Sequence, residues 1–485
     1  MQNIYSLLAL IGLFLYYALA IGISIRVVVK RRVVGVSMAW MMIIYVLPFV
    51  GVAAYLLFGE LNLGRKRADR AKQMFEPYGE WFKSLHQCAA HQPSRISDEA
   101  LPIHTLCEKQ LRIPSLSGNT MSLFTAPDEI MLAIIDDINK AKDFIHLEFY
   151  IWHPGGMAND VAFALIQAAD RGVKIRILLD SAGSRSFFKS DWPITLAKHD
   201  IEVVEALSVS AWRMFLRRMD LRQHRKIVVI DNTIAYTGSM NMVDPRFFKT
   251  DAGVGQWVDI MVRTTGPNVA VLNAIQAWDW EVETGERLLP QIPECRLEPE
   301  RHDFDAIQTI PSGPGMPPYI IHQVLSLAIY QARESITITT PYFVPSEALH
   351  HALINAGERG VTVNIILPKR NDSLMVEYAS RSFYHELLQA GVNIYQFDGG
   401  LLHTKSVVID EKYSLIGTVN LDMRSLWLNF EVTLAVDDRE FTEQMIWLQR
   451  DYMRQSELVC FSRWKNRTVF ERAREHFFYL FSPLL

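Results

Sequence analysis

The 485-residue sequence predicts an α/β protein made of two duplicated lobes, each with a mixed sheet, preceded by an N-terminal transmembrane helical hairpin. Three observations predict it. Two uncharged apolar stretches open the chain, helical and strand patterns alternate from about residue 110 onward, and the alternating unit is written twice. The length itself calls for more than one domain.

The first span covers residues 4–25 and the second residues 36–58, each long enough to cross a bilayer of ~30 Å hydrocarbon thickness. A secretory signal is disfavoured, because no positive charge precedes the first stretch and a second stretch follows at once. Residues 1–60 therefore read as a hairpin that leaves the N-terminus and the rest of the chain on one side. The loop supplies Arg26, Lys30, Arg31 and Arg32, and the segment after the second span supplies Arg65, Lys66, Arg67, Arg70 and Lys72. That small basic excess and the unpaired cysteines favour lobes on the cytoplasmic side.

Residues 61–110 read as a basic linker region, 111–290 as the first lobe, 291–300 as a Pro-rich linker and 301–485 as the second lobe. Four segments recur in the same order. Residues 140–152 match 331–345, 168–180 match 356–368, 197–207 match 388–398, and "HRKIVVIDNTIAYTGSMN" (224–241) matches "HTKSVVIDEKYSLIGTVN" (403–420).

The last match carries chemistry. Both copies follow H-x-K-x4-D-x6-G-[ST]-x-N, giving His224, Lys226, Asp231, Ser239 and Asn241, then His403, Lys405, Asp410, Thr418 and Asn420. Each His and Lys share one strand parity and the Asp has the other, so Asp231 and Asp410 are expected to hold the local frame. Lysine is not a usual metal ligand and no carboxylate pair accompanies the histidines, so the pattern suggests neither a metal nor a cofactor. Cationic lysine beside amide and hydroxyl donors suits the oxygens of a phosphate, with Ser239, Asn241, Thr418 and Asn420 as substrate-binding groups. One histidine can attack phosphorus while the other handles the leaving and entering oxygens, giving phosphodiester exchange through a phospho-histidine.

The doubled motif resembles that of the phospholipase D superfamily. With "YIWHPGGM", "DPRFFK", "TTPYFVPS", "GGLLHTKS" and "LDMRSLWLNFE", nearly the whole chain is similar to the two-span bacterial cardiolipin synthases. That resemblance implies phospholipase D-like lobes in pseudo-twofold symmetry, with both histidines at one shared site. It implies His224 as nucleophile, His403 as acid–base, and Asp259 and Glu431 as the acids that orient the imidazoles. It further implies phosphatidylglycerol as substrate, with cardiolipin and glycerol as products. The one departure, Thr418 where the first copy has Ser239, keeps the hydroxyl.

The competing reading is a phospholipase D-type phosphodiester hydrolase, with water as acceptor, since the motif serves both reactions. A formal charge of −4 supplies no overall basic field, so no nucleic-acid partner is expected. Anionic membrane lipid is the expected partner. The basic stretch 212–226 reads equally as a surface for lipid headgroups and as a solvated helix face.

Overall fold

The computed structural model describes residues 2–30, 34–47, 49–59, 65–91, 95–208, 220–293 and 305–484. It divides into one unit of Met1–Ala68 with Val209–Leu221, and a second of Asp69–Ser208 with Arg222–Leu485. Most of the 291–300 linker and residues 212–219 of the basic stretch lie outside the described residues.

The first unit holds α1 (Gln2–Val29), α2 (Val34–Val46) and α3 (Val50–Phe58). Over Ile4–Val29, α1 is long and apolar enough to cross a membrane. Tyr16, Ala20, Ile23 and Val27, at i, i+4, i+7 and i+11, pack on Ile44, Val52 and Tyr55, while Phe14 and Leu15 point outward. The second apolar stretch, expected as one span over 36–58, is instead two helices. Pro48 in the sequence has no N–H and disfavours helical backbone at Leu47, which ends α2. The bend is so tight that a Cβ at Gly51 would lie 2.2 Å from the Ile43 carbonyl oxygen.

Residues 61–110, expected as a linker, hold α4 (Arg65–His91) and α5 (Leu101–Leu111). Met74, Tyr78, Trp81 and Leu85 recur at helical spacing and are buried, so the segment is an amphipathic helix laid on the lobes.

The first lobe builds a seven-stranded sheet from β1 (Thr120–Phe124), β2 (Phe144–Phe149), β3 (Lys174–Asp180), β4 (Glu202–Ala206), β5 (Ile227–Ile230), β6 (Ile234–Gly238) and, beyond the short β7 (Trp257–Val258), β8 (Met261–Thr265). The second lobe builds an eight-stranded sheet from β9 (Asp305–Ser312), β10 (Ser335–Thr339), β11 (Thr362–Pro368), β12 (Asn393–Phe397) and, beyond the short β13 (Leu401–Leu402), β14 (Ser406–Ile409), β15 (Tyr413–Gly417), β16 (Glu431–Asp438) and β17 (Ser456–Leu458).

The two sheets have one topology. The order β1-β8-β6-β5-β2-β3-β4 is repeated as β9-β16-β15-β14-β10-β11-β12, with β17 added at the edge. In each, the β2-β3-β4 or β10-β11-β12 set is parallel and the remaining pairs are antiparallel. All four repeated sequence segments fall on equivalent strands, so the duplication extends from sequence to fold.

Strand periodicity then joins the lobes. Val228 and Ile230 of β5 point into the first lobe's own core, whereas Ile227 and Val229 point the other way. Val229 meets a cluster that also contains Val408, Ile416 and Leu434 of the second lobe. Val407 and Ile409 turn into the second lobe's own core. Each fully buried Val or Ile contributes about 1.5–3 kcal/mol, so this shared layer fixes the two sheets against each other.

Candidate active site

His224 and Lys226 stand just before β5, and His403 and Lys405 just before β14. The shared layer brings all four to the junction of the lobes, and short backbone contacts set their register. β13 pairs in parallel with β7, and the His403 N–H donates to the Val258 carbonyl at 2.8 Å. In the equivalent place, Gln223 bridges to Phe430 and the His224 N–H donates to the Phe430 carbonyl at 2.9 Å.

Those contacts place each histidine beside the acid of the opposite lobe. His224 Nδ1 is 2.8 Å from Glu431 Oε2, and His403 Nδ1 is 2.7 Å from Asp259 Oδ1. All four side chains are buried. Burial pushes both imidazoles down to about 4, against the opposing pull of Glu431 on His224 and of Asp259 on His403. Burial also acts to raise the two carboxyls, but the adjacent histidine and lysine outweigh it and hold both below the usual carboxylate range. The pairs are therefore neutral imidazole with ionised carboxylate. A carboxylate only accepts, so Nδ1 carries the proton and donates, and each Nε2 presents a lone pair.

Lys226 Nζ donates to the His224 carbonyl at 2.7 Å, and Lys405 Nζ donates to the His403 carbonyl. An ammonium has three N–H groups, which leaves donors on each for an anion. Burial lowers Lys226 to about 8 and Lys405 to about 7. The Tyr150 ring lies 4.9 Å from that of His224, and the Trp257 ring 4.3 Å from that of His403. These aromatics dry the site and strengthen its charges.

Asn241 accepts from the Ile151 N–H at 3.2 Å through Oδ1, which leaves its NH2 group to donate. Asn420 is buried, and its Oδ1 has no hydrogen-bond partner among the described residues.

Ser239 and Thr418, expected on the phosphate, turn elsewhere. Ser239 Oγ donates to Asp259 Oδ1 at 2.6 Å and accepts from the Ile260 N–H at 2.9 Å. Thr418 Oγ1 donates to Glu431 Oε2 at 2.5 Å and accepts from the Val432 N–H at 2.9 Å. Each hydroxyl thus spends its proton on the acid that faces a histidine.

Asp231 and Asp410 sit in the hairpin turns. Asp231 accepts from the N–H groups of Lys142, Asp143 and Phe144, and Asp410 from those of Arg333, Glu334 and Ser335. Both have positive φ, as do Asn232 and Glu411 after them, which makes each turn the primed type that suits twisted strands. Their carboxylates are committed to the frame.

Sequence reasoning missed three contributors. Asn429 donates to the other oxygen of Glu431 at 3.1 Å, and Tyr150 and Trp257 wall the imidazoles. The aromatic exit of the first repeated strand, "FYIW", is the signal that could have found Tyr150. Nothing in the sequence pattern marks the crossing of acids between lobes.

Known proteins match at two levels. The family model described as cardiolipin synthase, PLD-like domain matches twice, over residues 134–269 and 325–450, once in each lobe. A second, described as phospholipase D-nuclease N-terminal, matches residues 18–60. The chain is 52% identical over 486 aligned residues to cardiolipin synthase A of Yersinia pseudotuberculosis and to that of Yersinia pestis, covering 100% of both chains in each case. Among solved structures, phosphatidylserine synthase of Haemophilus influenzae superposes with a TM-score of 0.61, covering 80% of this chain and 100% of that one. At 14% identity, that likeness shows the fold alone.

Proposed function

The chain belongs to the cardiolipin synthase family of phospholipase D-like proteins, and we propose from that premise that it joins two phosphatidylglycerol molecules into cardiolipin and glycerol. The observation that carries this reading is the end-to-end match to the Yersinia cardiolipin synthases, which extends through the apolar N-terminal segment as well as both lobes.

His224 Nε2 attacks the phosphorus of the first phosphatidylglycerol. The bond from phosphorus to the headgroup glycerol oxygen breaks, and His403 protonates that oxygen. His403 then takes the proton from a free hydroxyl of the second phosphatidylglycerol. That oxygen attacks the phosphatidyl-His224, the phosphorus–nitrogen bond breaks, and cardiolipin leaves.

The charge balance supports this cycle. With both imidazoles neutral, two lysines offset two carboxylates, so a bound phosphodiester adds one uncompensated negative charge. An anion in a buried site raises the proton affinity of the nearest base, and His403 gains the proton it must give. Lys226, Lys405, Asn241 and Asn420 hold the phosphate oxygens as charge builds. Ser239 and Thr418 fix Asp259 and Glu431, which in turn fix the two imidazoles.

The chain is a membrane protein through α1, and its substrates are lipids. A second pass over 36–58 belongs to this reading only with α2 and α3 extended, since here α3 folds back on α2 with the Trp40 and Tyr55 rings 5.3 Å apart. The basic run after residue 64 favours the cytoplasmic face of the bacterial inner membrane for the lobes.

Supplying phosphatidylglycerol in liposomes to the purified protein tests the reading. Cardiolipin and free glycerol in equal amounts are expected, and phosphatidic acid as the sole lipid product overturns it in favour of hydrolysis.

A further inference from the structure

A second cavity, of about 350 Å³, lies between α4 and the lobes, within the size range of sites for small ligands. Phe75, Tyr78 and Phe82 of α4 form one wall, and Ile275, Trp278 and Met316 are among the residues facing them. None of the histidines, lysines, asparagines or acids of the catalytic cluster lines it. Tyr78 and Trp278 meet edge to face at 4.8 Å, while Phe75 is left 69% exposed beside the opening.

The rim is charged in one sense. Lys109 and Arg112 are exposed at the cavity and have no ion pair or side-chain hydrogen bond among the described residues. A neighbouring space of about 440 Å³ continues past Arg112 and adds Glu76, Glu80 and Lys83, of which Glu80 and Lys83 pair at 3.8 Å. The two unpaired cations therefore outnumber Glu76.

An aromatic cavity with two uncommitted cations at its mouth fits an amphiphile with an apolar tail and an anionic head. A free phosphate leaves the apolar walls unused, and a zwitterionic lipid offers the cations no net charge. We propose that this groove holds one acyl chain of an anionic phospholipid, with the phosphate between Lys109 and Arg112. The chain's membrane helix keeps such lipids at hand, and the assignment does not depend on which reaction the histidines perform. The site retains a lipid on the outside of the lobes and ties α4 to the bilayer's composition.

Gly79 gives the test its handle. A Cβ at this position meets nothing within 4 Å, so a larger side chain projects into open space at the groove. Leucine is also a better helix former than glycine, so Gly79→Leu fills the groove without weakening α4. The full-length protein, in phosphatidylcholine liposomes doped with phosphatidylglycerol bearing a mid-chain diazirine, is irradiated and its adducts mapped by mass spectrometry.

Adducts on peptides covering 75–82 and 274–278 are expected, stronger than from a matched phosphatidylcholine probe. Gly79→Leu should lower them about tenfold, the effect of excluding two methylenes from an apolar site, while Gly79→Ala leaves them in place. The surface pair Lys109→Gln with Arg112→Asn should equalise the two probes, and it keeps the test decisive if Gly79→Leu fails to fold. Asparagine suits position 112, where φ is 58°. Adducts confined to α1–α3, adducts unchanged by Gly79→Leu in folded protein, or equal labelling by both probes would overturn the proposal.

Discussion

His224 of the first lobe is held through Nδ1 by Glu431 of the second, at 2.8 Å, while Asp259 of the first holds His403 of the second at 2.7 Å. Neither lobe completes its own histidine. The two histidine–carboxylate pairs therefore exist only where the lobes are packed, and the layer around Val229 and Val408 holds the candidate site together as well as the fold.

The crossed acids give the first prediction. Glu431→Gln removes the negative charge and turns one of two accepting oxygens into an NH2 donor, so the His224 proton is no longer fixed on Nδ1 and Nε2 no longer reliably presents a lone pair. We expect kcat to fall about 10²–10⁴-fold with KM little changed, the range for a mispositioned acid–base group. Asp259→Asn should act likewise through His403. Steady-state kinetics on lipid vesicles separates kcat from KM.

The pH dependence follows from the burial of the site. His224 must be neutral to present Nε2, and burial has lowered it to about 4, so kcat/KM should rise with pH through about 4. Each lysine must be charged to hold phosphate, and burial has lowered them to about 7 and about 8, so kcat/KM should fall as pH climbs through that window. Lys405→Arg, which stays charged, should shift the alkaline limb upward even where it lowers the maximum. A kcat/KM profile from pH 4 to 10 checks both limbs.

The hydroxyls distinguish positioning from substrate contact. Ser239→Ala strips one donor from Asp259 and leaves the Ile260 N–H unpaired, at a cost of about 1–3 kcal/mol in stability. KM should stay near wild type while kcat drops. Thr418→Ser preserves both hydrogen bonds of the hydroxyl and should leave activity within about twofold, a difference of under half a kcal/mol. A KM rise in Ser239→Ala matching the kcat loss would return the hydroxyl to the phosphate.

Asp231 and Asp410 should behave as structural residues. Each carboxylate gathers three backbone N–H groups across its turn. Asp410→Asn should lower unfolding stability by about 1.5–3 kcal/mol, the worth of hydrogen bonds to a charged group, yet leave activity per folded molecule largely intact. Denaturant unfolding paired with activity per folded molecule measures the two separately.

Much of this architecture is legible in the chain. Repeated segments such as 224–241 and 403–420 announce two copies of one sheet, because alternation and turn chemistry are local properties. The opposite parity of Asp231 and His224 foretells that the aspartate leaves the site. Other features are not local. Whether Asp259 serves its own lobe or the other depends on how two sheets pack, and no pattern within either copy encodes that. Ser239 and Thr418 look like phosphate ligands until Ile260, Val432 and the two acids are placed around them. In α4 the basic residues of its first turns mask the apolar set Met74, Tyr78, Trp81 and Leu85, so a packed helix reads as a linker. The break between α2 and α3 was marked by Pro48, but overall hydropathy carries no sign of it.

The most direct measurement is a rapid acid-free quench of the protein reacting with phosphatidylglycerol, followed by peptide mass spectrometry. A phosphatidyl adduct on the peptide containing His224 is predicted, forming and decaying at the rate of cardiolipin synthesis, with both formation and decay slowed when His403→Ala removes the acid of the first step and the base of the second. Cardiolipin made at the normal rate by His224→Ala, or an adduct found on the His403 peptide instead, would contradict the account.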